Sequence, residues 1–158
     1  EYNSDAALIT NAVKEKGLTS LIPTLAELMI ESFAAEFSNA VFVPVPSSKM
    51  NTKKRGFSHT ALLAKALSRK VRGSSYRHLL IPAKPRFDQV GLTGQERVSN
   101  MAGAFRADFR GFRPTGRQIV LVDDVLTSGA TLSEAIRCLE LGWLRPASFL
   151  VFARAGAR

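Results

Sequence analysis

Cysteine, histidine and long apolar runs are all scarce in this chain, and each shortage excludes something. A single cysteine, Cys138, stands among 158 residues, so no disulfide framework can form within one chain and a reducing compartment is expected. Between Arg137 and Leu139, in a helical pattern, Cys138 reads as a small core residue. The two histidines, His59 and His78, fit no metal-ligand spacing and read as surface or capping residues. No stretch approaches the roughly eighteen uninterrupted apolar residues of a membrane-spanning helix. Residues 1–5 are acidic and polar, without the basic and apolar regions of a signal peptide, so the chain reads as cytoplasmic with no membrane partner. Internal repeats and low-complexity segments are absent too. Acidic residues are outnumbered, 13 against 22 Lys and Arg, which gives a net charge of +9. Phosphate-rich small ligands, nucleic acid or solubility could each account for that surplus.

What is present fits a globular protein: 158 residues favour a single domain over 1–158, and a chain of that length buries about two thirds of its unfolded surface. The most informative stretch is 119–131, Ile-Val-Leu-Val-Asp-Asp-Val-Leu-Thr-Ser-Gly-Ala-Thr. Four apolar residues without alternation suit a strand covered on both faces, as in a parallel sheet between helices. They run into the adjacent carboxylates Asp123 and Asp124, and then into a turn of Thr127, Ser128, Gly129, Ala130 and Thr131. The carboxyl end of such a strand is where open α/β sheets bind ligands. Leu132, Ala135, Ile136 and Leu139 recur at helical spacing over 131–141, so an anion in the turn would meet free amides and the positive end of a helix dipole. Paired carboxylates accept hydrogen bonds from the vicinal hydroxyls of a ribose and suit a hard divalent cation.

Read in order, the chain begins with a helix from Ser4 or Asp5 that carries Leu8, Ile9, Ala12 and Val13 and closes at Gly17. A second helix bears a broad apolar stripe from Leu21 to Phe37, including Leu28 and Phe33, and ends near Asn39. Residues 40–45 form the first clear strand, ended by Pro44 and Pro46. A basic loop over 47–55 carries Lys49, Lys53, Lys54 and Arg55, and a helix over 58–71 follows. Residues 79–82 form a short strand, and the long irregular segment 83–94 has the length of a lid. A helical turn at 95–101, strands at 104–109 and 147–153, and a turn at 111–116 complete the reading. Strands alternating with helices predict an α/β fold with parallel pairing.

The acidic pair and the Thr-Ser-Gly-Ala-Thr turn resemble the phosphoribosyl pyrophosphate (PRPP) signature of type I phosphoribosyltransferases. Val43-Pro44-Val45-Pro46 with Arg55-Gly56-Phe57-Ser58, then Gln89-Val90-Gly91-Leu92-Thr93, Arg97, Asn100 and Gly103-Ala104-Phe105, is similar to the pattern of the ComF family, competence-type phosphoribosyltransferase-like proteins. Ser58 departs from the family's usual Asn. Thr127 stands where purine-salvage members carry an acidic residue, which counts against a purine acceptor and leaves no evident general base in the turn. Many relatives begin with a cysteine-rich zinc module. No such cysteines occur here, so no zinc is expected in this chain, which is either a trimmed piece or a shorter relative.

The resemblance implies a type I phosphoribosyltransferase fold: a central, mostly parallel sheet flanked by helices, a small N-terminal hood and a flexible loop. It implies displacement of pyrophosphate from PRPP by a nitrogen acceptor, with Mg²⁺ as cofactor. Asp123 and Asp124 are the expected catalytic pair, meeting the ribose hydroxyls and, through them or through water, the metal. Thr127, Ser128, Gly129, Ala130 and Thr131 are expected to cradle the 5′-phosphate. Ser47, Lys49 and Arg55 would face the pyrophosphate, and Lys84, Arg86 and Gln89 would close over it from the flexible loop. The hood that selects the acceptor would use the N-terminal helices and part of 76–94. Two alternatives stand beside this reading. One is a non-enzymatic competence or DNA-uptake factor that binds single-stranded DNA, although interleaved aromatics for base stacking are not evident. The other is a PRPP-sensing regulator without turnover. A homodimer stays open.

Overall fold

In the computed structural model, residues 3–31, 33–83, 100–113 and 116–155 are described. Four strands, β1 (Val41–Pro44), β2 (Ser75–Tyr76), β5 (Ile119–Leu126) and β6 (Ser148–Arg154), form a parallel sheet in the order β2-β1-β5-β6. β1 and the first half of β5 are buried throughout, which is why both read as apolar runs without alternation. Pro44 is tolerated because β2 pairs only with Val41 and Phe42, so Pro44 lies beyond its end.

Helices cover both faces. On one face α1 (Ser4–Lys14), α2 (Ile22–Ile30) and α4 (His59–Lys70) pack Val13, Leu25, Met29, Leu63 and Leu67 against Phe42, Val120 and Val122. On the other, α5 (Ala130–Glu140) packs Leu132, Ala135, Cys138 and Leu139 against Val43, Ile119 and Leu121. Beside α5 lies a separate antiparallel pair, β3 (Leu80–Pro82) with β4 (Phe105–Ala107). Cys138 is buried in this second core, as its sequence context suggested. Two consecutive sheet strands, β1 and β5, thus send their following helices to opposite faces and leave a crevice between their carboxyl ends.

Several elements differ from the sequence reading. α1 is capped by Asn3, whose side chain accepts from the Ala6 amide at 2.9 Å, rather than by Ser4 or Asp5, and Leu8 is exposed. α2 ends at Ile30, well before Asn39, and leaves Leu28 and Phe33 exposed. Phe37 still reaches the core, from a turn, edge-on to Phe42 at 6.2 Å. The basic segment after β1 is a helix rather than a loop: α3 (Lys49–Arg55) starts at Ser48, which caps the Asn51 amide at 3.1 Å, and stops at Gly56 with φ 77°. Gly56 is one of the places where a left-handed backbone makes glycine the easy residue.

At the amino edge of the sheet, Arg117 donates from Nε to the Asn39 carbonyl at 2.9 Å and from Nη2 to the carbonyls of Ala40 at 3.0 Å and Gly73 at 2.9 Å. At the opposite edge, the Thr60 hydroxyl donates to the Val45 carbonyl at 2.8 Å and seats the start of α4 beside the end of β1. Among the described residues no helix is long and apolar enough to cross a membrane.

Candidate functional site at the carboxyl edge of the sheet

β5 is buried through Val122 and half-buried from Asp123 to Leu126, so the acidic pair sits where the strand leaves the core. Each carboxylate folds onto the next backbone amide: Asp123 Oδ1 accepts from the Asp124 N–H at 2.9 Å, and Asp124 Oδ1 from the Val125 N–H at 2.8 Å. The other oxygen of Asp124, Oδ2, is ion-paired with Lys14 Nζ and lies 3.3 Å from His59 Nε2. Burial pushes the Asp123 carboxyl up to about 8, reinforced by the negative charge of Asp124. Burial opposes ionisation of Asp124 too, but the close approach of His59 and the Lys14 charge outweigh it and hold this carboxyl below the usual range. The pair is therefore asymmetric, with the charge settled on Asp124.

After β5 the chain bends through exposed Thr127 and Ser128 to Gly129, whose φ of 77° turns it into α5. α1, α3 and α4 begin under side-chain caps from Asn3, Ser48 and Ser58, whereas α5 has no side-chain cap at its start. Its first amides, from Ala130 onward, remain for an anion to use.

A cavity of about 420 Å³ gathers these groups. Ser47, Asn51 and Arg55 line it from the β1–α3 side, and Asp123, Asp124, Thr127 and Thr131 from the β5–α5 side. Lys14, Glu15 and His59 close it from the helical layer of α1 and α4. Of the residues expected from sequence, Ser47, Arg55, Asp123, Asp124, Thr127 and Thr131 are thus brought together, and Ser128, Gly129 and Ala130 share the same turn. Lys49 is the first residue of α3. Lys84, Arg86 and Gln89 fall outside the described residues. The Arg55 guanidinium is engaged by Glu15, Nη2 to Oε1 at 2.9 Å. A second, more apolar cavity of about 530 Å³ lies beyond Pro46 and Ser47, against Leu80, Ile81 and Pro82.

Lys14, Glu15, Asn51 and His59 escaped the sequence reading. His59 is not a surface residue: it is 5% exposed, and its Nδ1 has no hydrogen-bond partner among the described residues. A scan for metal-ligand spacing could not find it. Its position could, because the first residue of a helix that follows a strand faces the sheet edge where β5 ends. Lys14 carries no local signal, since α1 reaches the site only through tertiary packing.

No group of three potential metal-ligating side chains occurs among the described residues. Both oxygens of Asp124 are already engaged, so a divalent ion would find Asp123 Oδ2 as its carboxylate contact and would depend on the oxygens of a ligand. The two carboxylates together do not form a ready magnesium site.

No family model matches the sequence. Over 121 residues the chain is 31% identical to competence protein ComFC of Bacillus subtilis, covering 70% of this chain and 47% of that protein. Over 97 residues it is 31% identical to competence protein F of Haemophilus influenzae, covering 61% and 42%. The chain is a homologue of the ComF competence proteins. A DNA utilization protein, YhgH of Escherichia coli O157:H7, is 26% identical over 145 residues, 88% of this chain and 63% of its own length. The chain therefore spans roughly half the length of the curated relatives it matches. Its fold is that of the type I phosphoribosyltransferases. Trypanosoma cruzi hypoxanthine phosphoribosyltransferase superimposes with a TM-score of 0.51 at 17% identity, over 88% of this chain and 76% of that one. An asparagine variant at an invariant aspartic acid of the hypoxanthine phosphoribosyltransferases gives 0.51 and 17% over 87% and 76%.

Proposed function

We propose that the cavity binds PRPP and that the protein transfers its phosphoribosyl group to a nitrogen acceptor. The observation that carries this reading is the convergence of an acidic pair, an uncapped helix start and an arginine-bearing helix around one cavity at a sheet edge. The 5′-phosphate would sit in the turn of Thr127 to Thr131, against the amides at the start of α5. The ribose hydroxyls would donate to Asp123 and Asp124, and the pyrophosphate would point toward Ser47, Lys49 and Arg55.

In the reaction, the acceptor nitrogen forms a bond to the anomeric carbon while the bond from that carbon to the pyrophosphate oxygen breaks, and the leaving group takes the electron pair. Thr127 supplies no carboxylate base, so the favoured acceptor is one that loses its proton to water after attack. Arg55 becomes available to the leaving group when Glu15 releases it. Mg²⁺ would supply further charge compensation on the pyrophosphate.

Calorimetric titration with PRPP tests the binding claim, and absence of heat from a folded sample at saturating ligand would end it. Pyrophosphate release measured across a panel of nucleobases and amines tests the transfer. A second reading draws on the names of the relatives, which speak of competence and DNA utilization, and on the +9 charge: a DNA-handling factor that keeps the fold without turnover. PRPP binding with no pyrophosphate release from any acceptor would favour that reading or a PRPP sensor.

A further inference from the structure

We propose that Lys14 is the resident counter-cation of the acidic pair, and that the site accordingly takes phosphoribosyl ligands without needing a divalent metal ion. The inference rests on the phosphoribosyl reading above and adds to it the means by which the acidic edge is neutralised. The tip of α1 is held over the cavity at two points by consecutive residues of opposite charge: Lys14 Nζ on Asp124 Oδ2, and Glu15 Oε1 on Arg55 Nη2 at 2.9 Å. Each takes the site residue of the opposite sign. Glu15 joins the tip to α3 next to the Lys14–Asp124 ion pair.

Lys14 occupies the place a metal would need. A hydrated divalent ion at Asp124 Oδ2 would have to displace both the ammonium and the His59 Nε2 contact at 3.3 Å, while Oδ1 is committed to the Val125 amide. Left beside the ion, the ammonium would repel it. The ammonium can itself do what the ion does for a bound ribose phosphate. It offsets the Asp124 charge, and of its three N–H donors one meets Asp124 while the others can turn to ligand oxygens in the same cavity. Its side chain is three-quarters covered, at 25% exposure, so solvent screens it less than it would a surface lysine.

Calorimetric titration of the whole chain with PRPP and with ribose 5-phosphate, once in EDTA and once in magnesium chloride, tests this. Ribose 5-phosphate lacks the pyrophosphate that chelates metal in solution, so its behaviour reports on the acidic edge. The expected result is wild-type affinity that differs by less than about threefold between the two buffers for ribose 5-phosphate and by at most about tenfold for PRPP. Lys14→Gln should lose about tenfold or more in EDTA and regain most of it with magnesium, while Lys14→Arg should follow the wild type. Wild-type binding of ribose 5-phosphate that requires magnesium would overturn the inference and leave the PRPP reading intact. So would a Lys14→Gln protein that binds like the wild type in both buffers. If neither ligand binds in either buffer to protein with an intact thermal transition, the PRPP reading falls and this inference falls with it. The wild-type comparison needs no variant, so a Lys14→Gln protein that fails to fold leaves the test standing.

Discussion

Asp123 and Asp124 share a charge they cannot both hold without cost, and the environment divides it between them. Asp123 is pushed up to about 8 by burial and by its neighbour, so between about 4 and about 8 the folded protein keeps a proton that the unfolded chain releases. Its contribution to stability is therefore full below pH 4 and is lost as pH rises toward 8. Asp124 works the other way. Held low by His59 and Lys14 against the effect of its burial, it stabilises the fold above the ordinary carboxylate range, and that contribution is lost in acid. Asp123→Asn mimics the protonated form, so urea unfolding should show the variant more stable than wild type at pH 8 by about 1 kcal/mol or more, with the gap closing toward pH 4. Asp124→Asn should lose about 1–3 kcal/mol at pH 7, because it leaves Lys14 and His59 facing an uncharged amide. A wild-type stability that climbs steadily from pH 5 to pH 8, with Asp123→Asn running parallel to it, would contradict the assignment of the charge.

At the scale of elements, what was legible in the sequence was what is contiguous. β1 and β5 are central strands buried on both faces, so their apolar runs identify them, and α4 and α5 show their inner faces at helical spacing. The acidic pair and its turn were legible for the same reason, since they lie along one strand end. α3 was missed although Ser48 and Gly56 bracket it, because a run of basic residues reads equally well as a solvated loop until its backbone caps are seen. Lys14, Glu15 and His59 come from helices distant in sequence, and packing rather than pattern delivers them to the cavity. Arg117 shows the same limit at the other edge, where one guanidinium joins the approach to β1 to the loop before β2 through three carbonyls. Arg117→Met keeps the stem and removes those donors. It should lower stability by about 1–3 kcal/mol in urea unfolding, while PRPP affinity, which the proposed function assigns to the carboxyl edge, should stay within about twofold of wild type.

For the whole molecule, the question is whether the +9 charge and the cavity serve one ligand or two. The cavity carries a closed set of ion pairs, Lys14 with Asp124 and Glu15 with Arg55, so the surplus positive charge lies mainly outside it. Arg77, Arg106, Arg110 and Arg113 are exposed around the β3–β4 pair, and Arg145 is exposed beside Trp143, itself 96% exposed. Such a surface attracts any polyanion, with an affinity that falls steeply as salt rises. A single-stranded oligonucleotide should therefore bind weakly at low salt, as followed by fluorescence anisotropy, and should be released as salt approaches physiological strength. Asp124→Asn should leave this binding unchanged, and saturating PRPP should not displace the oligonucleotide beyond the effect of its own ionic strength. Trp143 is the single tryptophan, so its emission gives a second readout: stacking of bases on it would quench it, whereas a purely electrostatic contact would not. Displacement by PRPP that disappears in Asp124→Asn would place the nucleic acid in the cavity, and would make the acidic edge part of a DNA site in place of a separate phosphoribosyl one.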